Sequence, residues 1–143
     1  MNLEVLMNFY KTDPRSFQIA DRIVLSNPTQ THLTGLHGSA SQFVIAAIHQ
    51  HPSAATLNHL VIVRDAEEAA YFQNTLENVT NALDIFYFPS SFKNKKNYSL
   101  LNSSHVMLRT EALTKLAAGG NKKIIVTYPE ALFEKVVLSK TLA

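Results

Sequence analysis

Four short apolar runs constrain this chain most: His32–Leu36, His59–Val63, Asp84–Phe88 and Lys123–Thr127. Each is followed within a few residues by a stretch of helical periodicity. Strand–helix alternation with short connections implies a parallel sheet, because each helix carries the chain back to the start of the next strand. The run His59-Leu60-Val61-Ile62-Val63 has no polar alternation, as expected of a strand covered on both faces. Hydrophobic residues make up 46% and charged residues 17% of the 143, enough to bury an ordinary core. The expectation is an α/β fold in three layers, with a mostly parallel sheet of about four strands.

The connecting segments have recognisable starts and stops. Asn2–Tyr10 is apolar at spacings of three and four and predicts a short helix. Asp13-Pro14 reads as an N-cap with proline at the first helical position, opening a helix with Phe17, Ala20 and Val24 on one stripe. Ser41–Gln50 is apolar nearly all round and predicts a helix buried between layers. Asp65 caps a helix in which Glu68 completes a capping box and Ala69, Phe72, Leu76 and Val79 form the core stripe. Ser103 or Ser104 caps the next, with Leu108, Ala112, Leu113 and Leu116 inward and Gly119-Gly120 as its stop. Thr127 is the expected cap before Pro129. Residues 1–30 form an N-terminal helical segment and residues 31–143 the α/β lobe. The chain ends as a piece of a longer protein would.

Several function classes are excluded or disfavoured. The net charge is +2, from 13 Lys+Arg against 11 Asp+Glu, without the clustered basic face of a domain that grips DNA. With no cysteine there is no disulfide, thiol redox motif or thiolate zinc site. Met1-Asn2-Leu3-Glu4 carries an acid and no basic n-region, so it is not a signal peptide. No apolar run reaches the roughly 18–20 residues of a membrane span, and a cytoplasmic location is expected. His49 and His51 are two apart and diverge on a helix, so they do not match the i, i+4 spacing of a helical metal pair. With His59 they read as capping, helix-ending or surface residues, and no metal site is expected. No triad and no paired carboxylates at strand ends are recognisable, so no catalytic residue is assigned.

Leu33-Thr34-Gly35-Leu36-His37-Gly38-Ser39-Ala40-Ser41-Gln42 has the framework of a phosphate-binding P-loop: a strand, a glycine-bearing turn and a helix. Its chemistry is missing. With Gly35 as the first glycine of G-x-x-x-x-G-K-[ST], the second falls on Ala40, the lysine on Ser41 and the hydroxyl on Gln42. Gly35, Gly38, Ser39, Ser41 and Gln42 are therefore a degenerate P-loop with no expected cofactor. The glycines are better explained by backbone conformation than by a residual anion site.

Four stretches in order carry a resemblance: Gly35-Leu36-His37-Gly38-Ser39, Leu60–Ala69, Phe86-Tyr87-Phe88-Pro89-Ser90, and Arg109–Leu113 followed by Ile125–Leu132. Together they resemble the first lobe of the UvrB-like module at the N-terminus of the bacterial transcription-repair coupling factor (Mfd) family, over nearly the whole chain from Gly35 onward. UvrB itself has the lysine and threonine for ATP and a long aromatic hairpin after its third strand. Here only Ser90–Asn102 occupies that place, with Phe92 and Tyr98 as its aromatics. The resemblance implies a degenerate RecA-like lobe and a non-catalytic scaffold. In the family this module helps recruit UvrA, mainly through the small domain that follows, to RNA polymerase stalled at DNA lesions. ATP and Mg²⁺ act in other domains of the parent translocase.

Lys93, Lys95 and Lys96 form a candidate nucleic-acid or partner contact, against the plainer reading of a solvated loop tip. Arg109 braces that loop or a neighbouring lobe, or makes a surface pairing. Two rival readings stay open. One is a DNA-helicase nucleotide-binding lobe with an unorthodox P-loop. The other is a small-molecule-binding Rossmann-like domain, for which the G-x-G-x-x-G fingerprint is absent.

Overall fold

The computed structural model describes residues 2–80, 84–92, 100–120 and 122–136. They fall into two compact units, Met1–Leu57 with Asn74–Leu83 and Asn58–Gln73 with Asp84–Ala143.

The first unit is helical. α1 (Leu3–Thr12) and α2 (Pro14–Ile23) meet at Asp13, which ends one and caps the other by accepting the Arg15 N–H at 2.8 Å. Pro14 sits at the first position of α2, where the missing N–H leaves no bond unmade. α3 (Ala40–Gln50) is buried on most sides and packs against both helices. Val44 and Ile48 join Ala20 of α2 and Ala54 of a short 3-10 turn, Pro52–Ala54, in one core. Burying Val44 and Ile48 contributes about 1.5–3 kcal/mol each. Tyr10 stacks on Phe43 at 5.2 Å between ring centroids. The inward face of α2 differs from the expected stripe. Ser16 and Ala20 are buried while Phe17 and Val24 are 39% and 40% exposed. The true stripe runs through Ser16, Ile19, Ala20 and Ile23, and the polar Ser16 disguises it.

The second unit holds a three-stranded parallel sheet in the order β1-β3-β2, from β1 (His59–Ile62), β2 (Ile85–Phe88) and β3 (Ile124–Thr127). Leu60 lies opposite Ile125, and Ile125 opposite Phe86. β3, in the centre, is buried at every residue. α5 (Ser103–Ala117) packs on β2, and α6 (Pro129–Leu132) follows β3 directly. α4 (Ala66–Thr80) starts in this unit and ends in the first. Asp65 caps the helix as expected, accepting the Glu68 N–H at 2.9 Å, while the Glu68 carboxylate reaches back to the N–H of Arg64 at 3.0 Å, one residue before the cap, instead of to that of Asp65. Ala69, Phe72 and Leu76 are buried along its stripe.

Four expectations need correction. Residues 32–36 form no strand: they are irregular and exposed, and Gly35 has φ +77°, outside the pleated range. With Leu33 and Leu36 at 43% and 39% exposure, no packing compensates. The sheet thus has three strands among the described residues, not four. β1 is not covered on both faces, since Leu60 and Ile62 are 56% and 54% exposed; it is an edge strand. The cap of α5 is Asn102, accepting the Ser104 and His105 N–H groups, and that of α6 is Tyr128 rather than Thr127.

Candidate functional site

In a parallel sheet the loops at the carboxyl ends of the strands are the usual place for a site, and here polar side chains converge at that end of β2 and β3. Phe88 ends β2 and leads into Pro89-Ser90-Ser91. Thr127 ends β3 and leads into Tyr128 and α6. The Thr127 hydroxyl, fully buried, donates to the Phe88 carbonyl at 2.8 Å, and the Ser90 N–H donates to the Tyr128 hydroxyl at 2.8 Å. His105, in the first turn of α5, donates from Nδ1 to the Ser90 carbonyl at 2.8 Å, because a carbonyl can only accept.

Arg109 lies one turn further along α5 and is the centre of the cluster. Its Nη1 donates to the carbonyls of Pro89 and Ala131, both at 2.9 Å. Its Cζ stands 4.1 Å from the Phe88 ring centroid, a cation–π geometry. Glu134, just past α6, supplies the counter-charge at 3.6 Å. Its carboxylate also accepts from the Ser90 hydroxyl and from the Ser91 N–H, the latter at 2.9 and 3.1 Å. The ion-paired side chains are 7% and 14% exposed. Burial pulls the Arg109 guanidinium below its ordinary pKa, against the opposing pull of Glu134 and Tyr128. Burial likewise pushes the Glu134 carboxyl up, but the bonds from Ser90 and Ser91 and the charge of Arg109 outweigh it and leave the pKa lowered. Burial, with Tyr128 beside it, drives the Tyr87 phenol well above its usual value. Both members of the pair are charged and Tyr87 is neutral at pH 7.

Arg109 therefore braces the turn after β2 against α6. Of the expectations for Arg109, the surface pairing is corrected: the side chain is buried and its guanidinium faces its own fold. Lys93, Lys95 and Lys96 lie outside the described residues. Glu134, His105 and Tyr128 were not singled out in the sequence. The spacing His105–Arg109–Ala112, four then three, was the available signal for the inward face of α5.

The degenerate P-loop residues are placed differently. Gly35 and Gly38 take φ +77° and +56°, and a Cβ at either would meet nothing within 4 Å. They serve backbone conformation, not a close approach. Ser39 precedes α3, whose first N–H, from Ala40, is taken by the His37 carbonyl at 3.1 Å. Ser41 donates to the side-chain oxygen of Gln42 at 2.8 Å, and Gln42 is buried. Where a P-loop needs a lysine and a metal-binding hydroxyl, two neutral side chains hold each other.

His51 is helix-ending: it closes α3 and its Nδ1 accepts the Ser53 N–H at 3.2 Å. His49 is buried in α3, and His59 opens β1 with its pKa lowered by burial. Among the described residues no group of three or more His, Asp or Glu side chains is placed to hold a metal. No helix among them is long and apolar enough to cross a membrane.

These features define an α/β chain with a small parallel sheet whose polar end is closed on itself. Compared with protein-family models, with curated proteins and with solved structures, the chain matches none.

Proposed function

We propose that this chain is a non-catalytic scaffold, a degenerate RecA-like lobe of the UvrB-like kind that transcription-repair coupling factors carry at their N-terminus. In that reading it is cytoplasmic, helps present a UvrA-recruiting surface, and packs against other domains of a parent ATP-dependent DNA translocase. The ordered series of motifs from Gly35 to Leu132 supports the family. The observation that carries the scaffold role is the pairing of Ser41 with Gln42 where nucleotide chemistry needs a lysine and a hydroxyl. The exposed Leu60 and Ile62 on β1 add an apolar surface suited to a neighbouring domain.

The test has two arms. Calorimetric titration of the chain with ATP·Mg²⁺ should give no heat, while UvrA should bind the chain once its following small domain is attached. Micromolar ATP binding would overturn the scaffold role in favour of a helicase nucleotide lobe. ATP-silent protein that also ignores UvrA would overturn the coupling-factor reading.

A further inference from the structure

We infer that Ser90, Ser91 and Arg109 form a carboxylate-binding cradle, filled in cis by Glu134, that takes a small external carboxylate when Glu134 is removed. All of its parts lie in the second unit.

The cradle is built without Glu134. The Ser90 N–H is held by the Tyr128 hydroxyl and the Ser90 carbonyl by His105. The Ser90 hydroxyl accepts the Phe92 N–H at 3.4 Å, which turns its own hydrogen toward the carboxylate. Arg109 is fixed by the carbonyls of Pro89 and Ala131. Two donors, the Ser90 hydroxyl and the Ser91 N–H, thus face one place beside the charge of Arg109 at 3.6 Å, the preorganisation that anion sites require.

Glu134 enters from outside. α6 ends at Leu132, and Glu134 follows in non-helical backbone. Its neighbour Phe133 is 89% exposed and Val136 is 51% exposed, while the Glu134 side chain is only 14% exposed. A single carboxylate is inserted from an otherwise open segment, as a ligand would be. The fit is also incomplete: Arg109 Nη2 is buried and has no hydrogen-bond partner among the described residues. A free carboxylate, not tied to a backbone, can move closer to the guanidinium than the 3.6 Å that Glu134 reaches. Removing Glu134 leaves a buried cation without its counter-charge, which is the strongest demand for an anion a protein interior makes.

The experiment is Glu134→Ala in the full chain, titrated at pH 7 with sodium acetate against sodium chloride at matched ionic strength. Thermal melting and the Ser91 amide resonance are the readouts. Acetate should restore about half or more of the lost Tm by mass action, with a saturable Ser91 shift, and should leave the wild type unmoved. Adding Ser90→Ala should abolish the response. Superimposable acetate and chloride curves would overturn the inference. Variant that folds only in acetate supports it; variant that folds in neither salt overturns it, since the cradle then does not exist without Glu134.

Discussion

Two turns sit just before or after regular structure in this chain, and they have opposite characters. Residues 32–38 are exposed throughout and carry two glycines with positive φ whose Cβ positions are empty space. Pro89-Ser90-Ser91 has no glycine, and it is held by Tyr128, His105, Arg109 and Glu134. Glycine gives a chain freedom to turn; it does not by itself assemble a site. Convergent donors and a buried charge do, and here they converge on the turn that looks the plainer of the two.

The largest expected effect breaks the second turn. Arg109→Ala leaves Glu134 buried without its counter-charge and strips two carbonyls of their donor. Removing one partner of a buried pair costs about 3–5 kcal/mol, read as a fall in urea midpoint at unchanged slope. A loss under about 1 kcal/mol, the range of surface pairs, would mean the cluster is solvated after all. Leu76→Ala follows: Leu76 is fully buried on α4, and truncation should cost about 2–5 kcal/mol.

This contrast also divides what the sequence discloses from what it hides. The apolar runs at 59–63, 84–88 and 123–127 are visible as strands because each is short, branched or aromatic, and bounded by turn residues. The caps at Asp13 and Asp65 are visible because a cap is a local device spanning three or four residues. The run at 32–36 misleads because strand propensity needs a neighbouring strand, and among the described residues none pairs with it. Arg109 misleads because its charge argues for solvent, and its partner gives no local sign. Glu134 reaches Ser90 across 44 residues of sequence, a pairing set by the parallel sheet bringing the ends of β2 and β3 together. Propensity sees neighbours in sequence; this site is made of neighbours in space.

A pH series sharpens the comparison without removing a side chain. Glu134 has a folded pKa below its unfolded value, so its stabilisation is fully present above the ordinary carboxylate range, near about 4.3. It is lost as pH falls through the lower folded value. Asp13 behaves in the same sense, its carboxyl held down to about 2 by the side chain and backbone of Arg15, but Arg15 is 85% exposed and salt screens the pair. Stability should therefore fall less from pH 6 to 3 in Glu134→Gln than in wild type, at both low and high salt. If high salt alone removes the difference, the carboxylate is not in a buried cradle. Thr127→Val should cost less, about 1 kcal/mol for the lost bond to the Phe88 carbonyl.

The effects at the first turn are small and unequal. An L-residue in the left-handed region costs about 1–2 kcal/mol, provided the surrounding backbone enforces that conformation. Gly38 lies one residue before the Ser39 cap of α3, where Ala40 N–H and the His37 carbonyl fix the entry, so Gly38→Ala should approach that value. Gly35 lies in open, irregular chain that can relax to negative φ, so Gly35→Ala should cost only a few tenths of it. Equal and larger losses at both positions would mean that residues 32–38 are packed in solution, and the two turns would then differ in composition but not in construction.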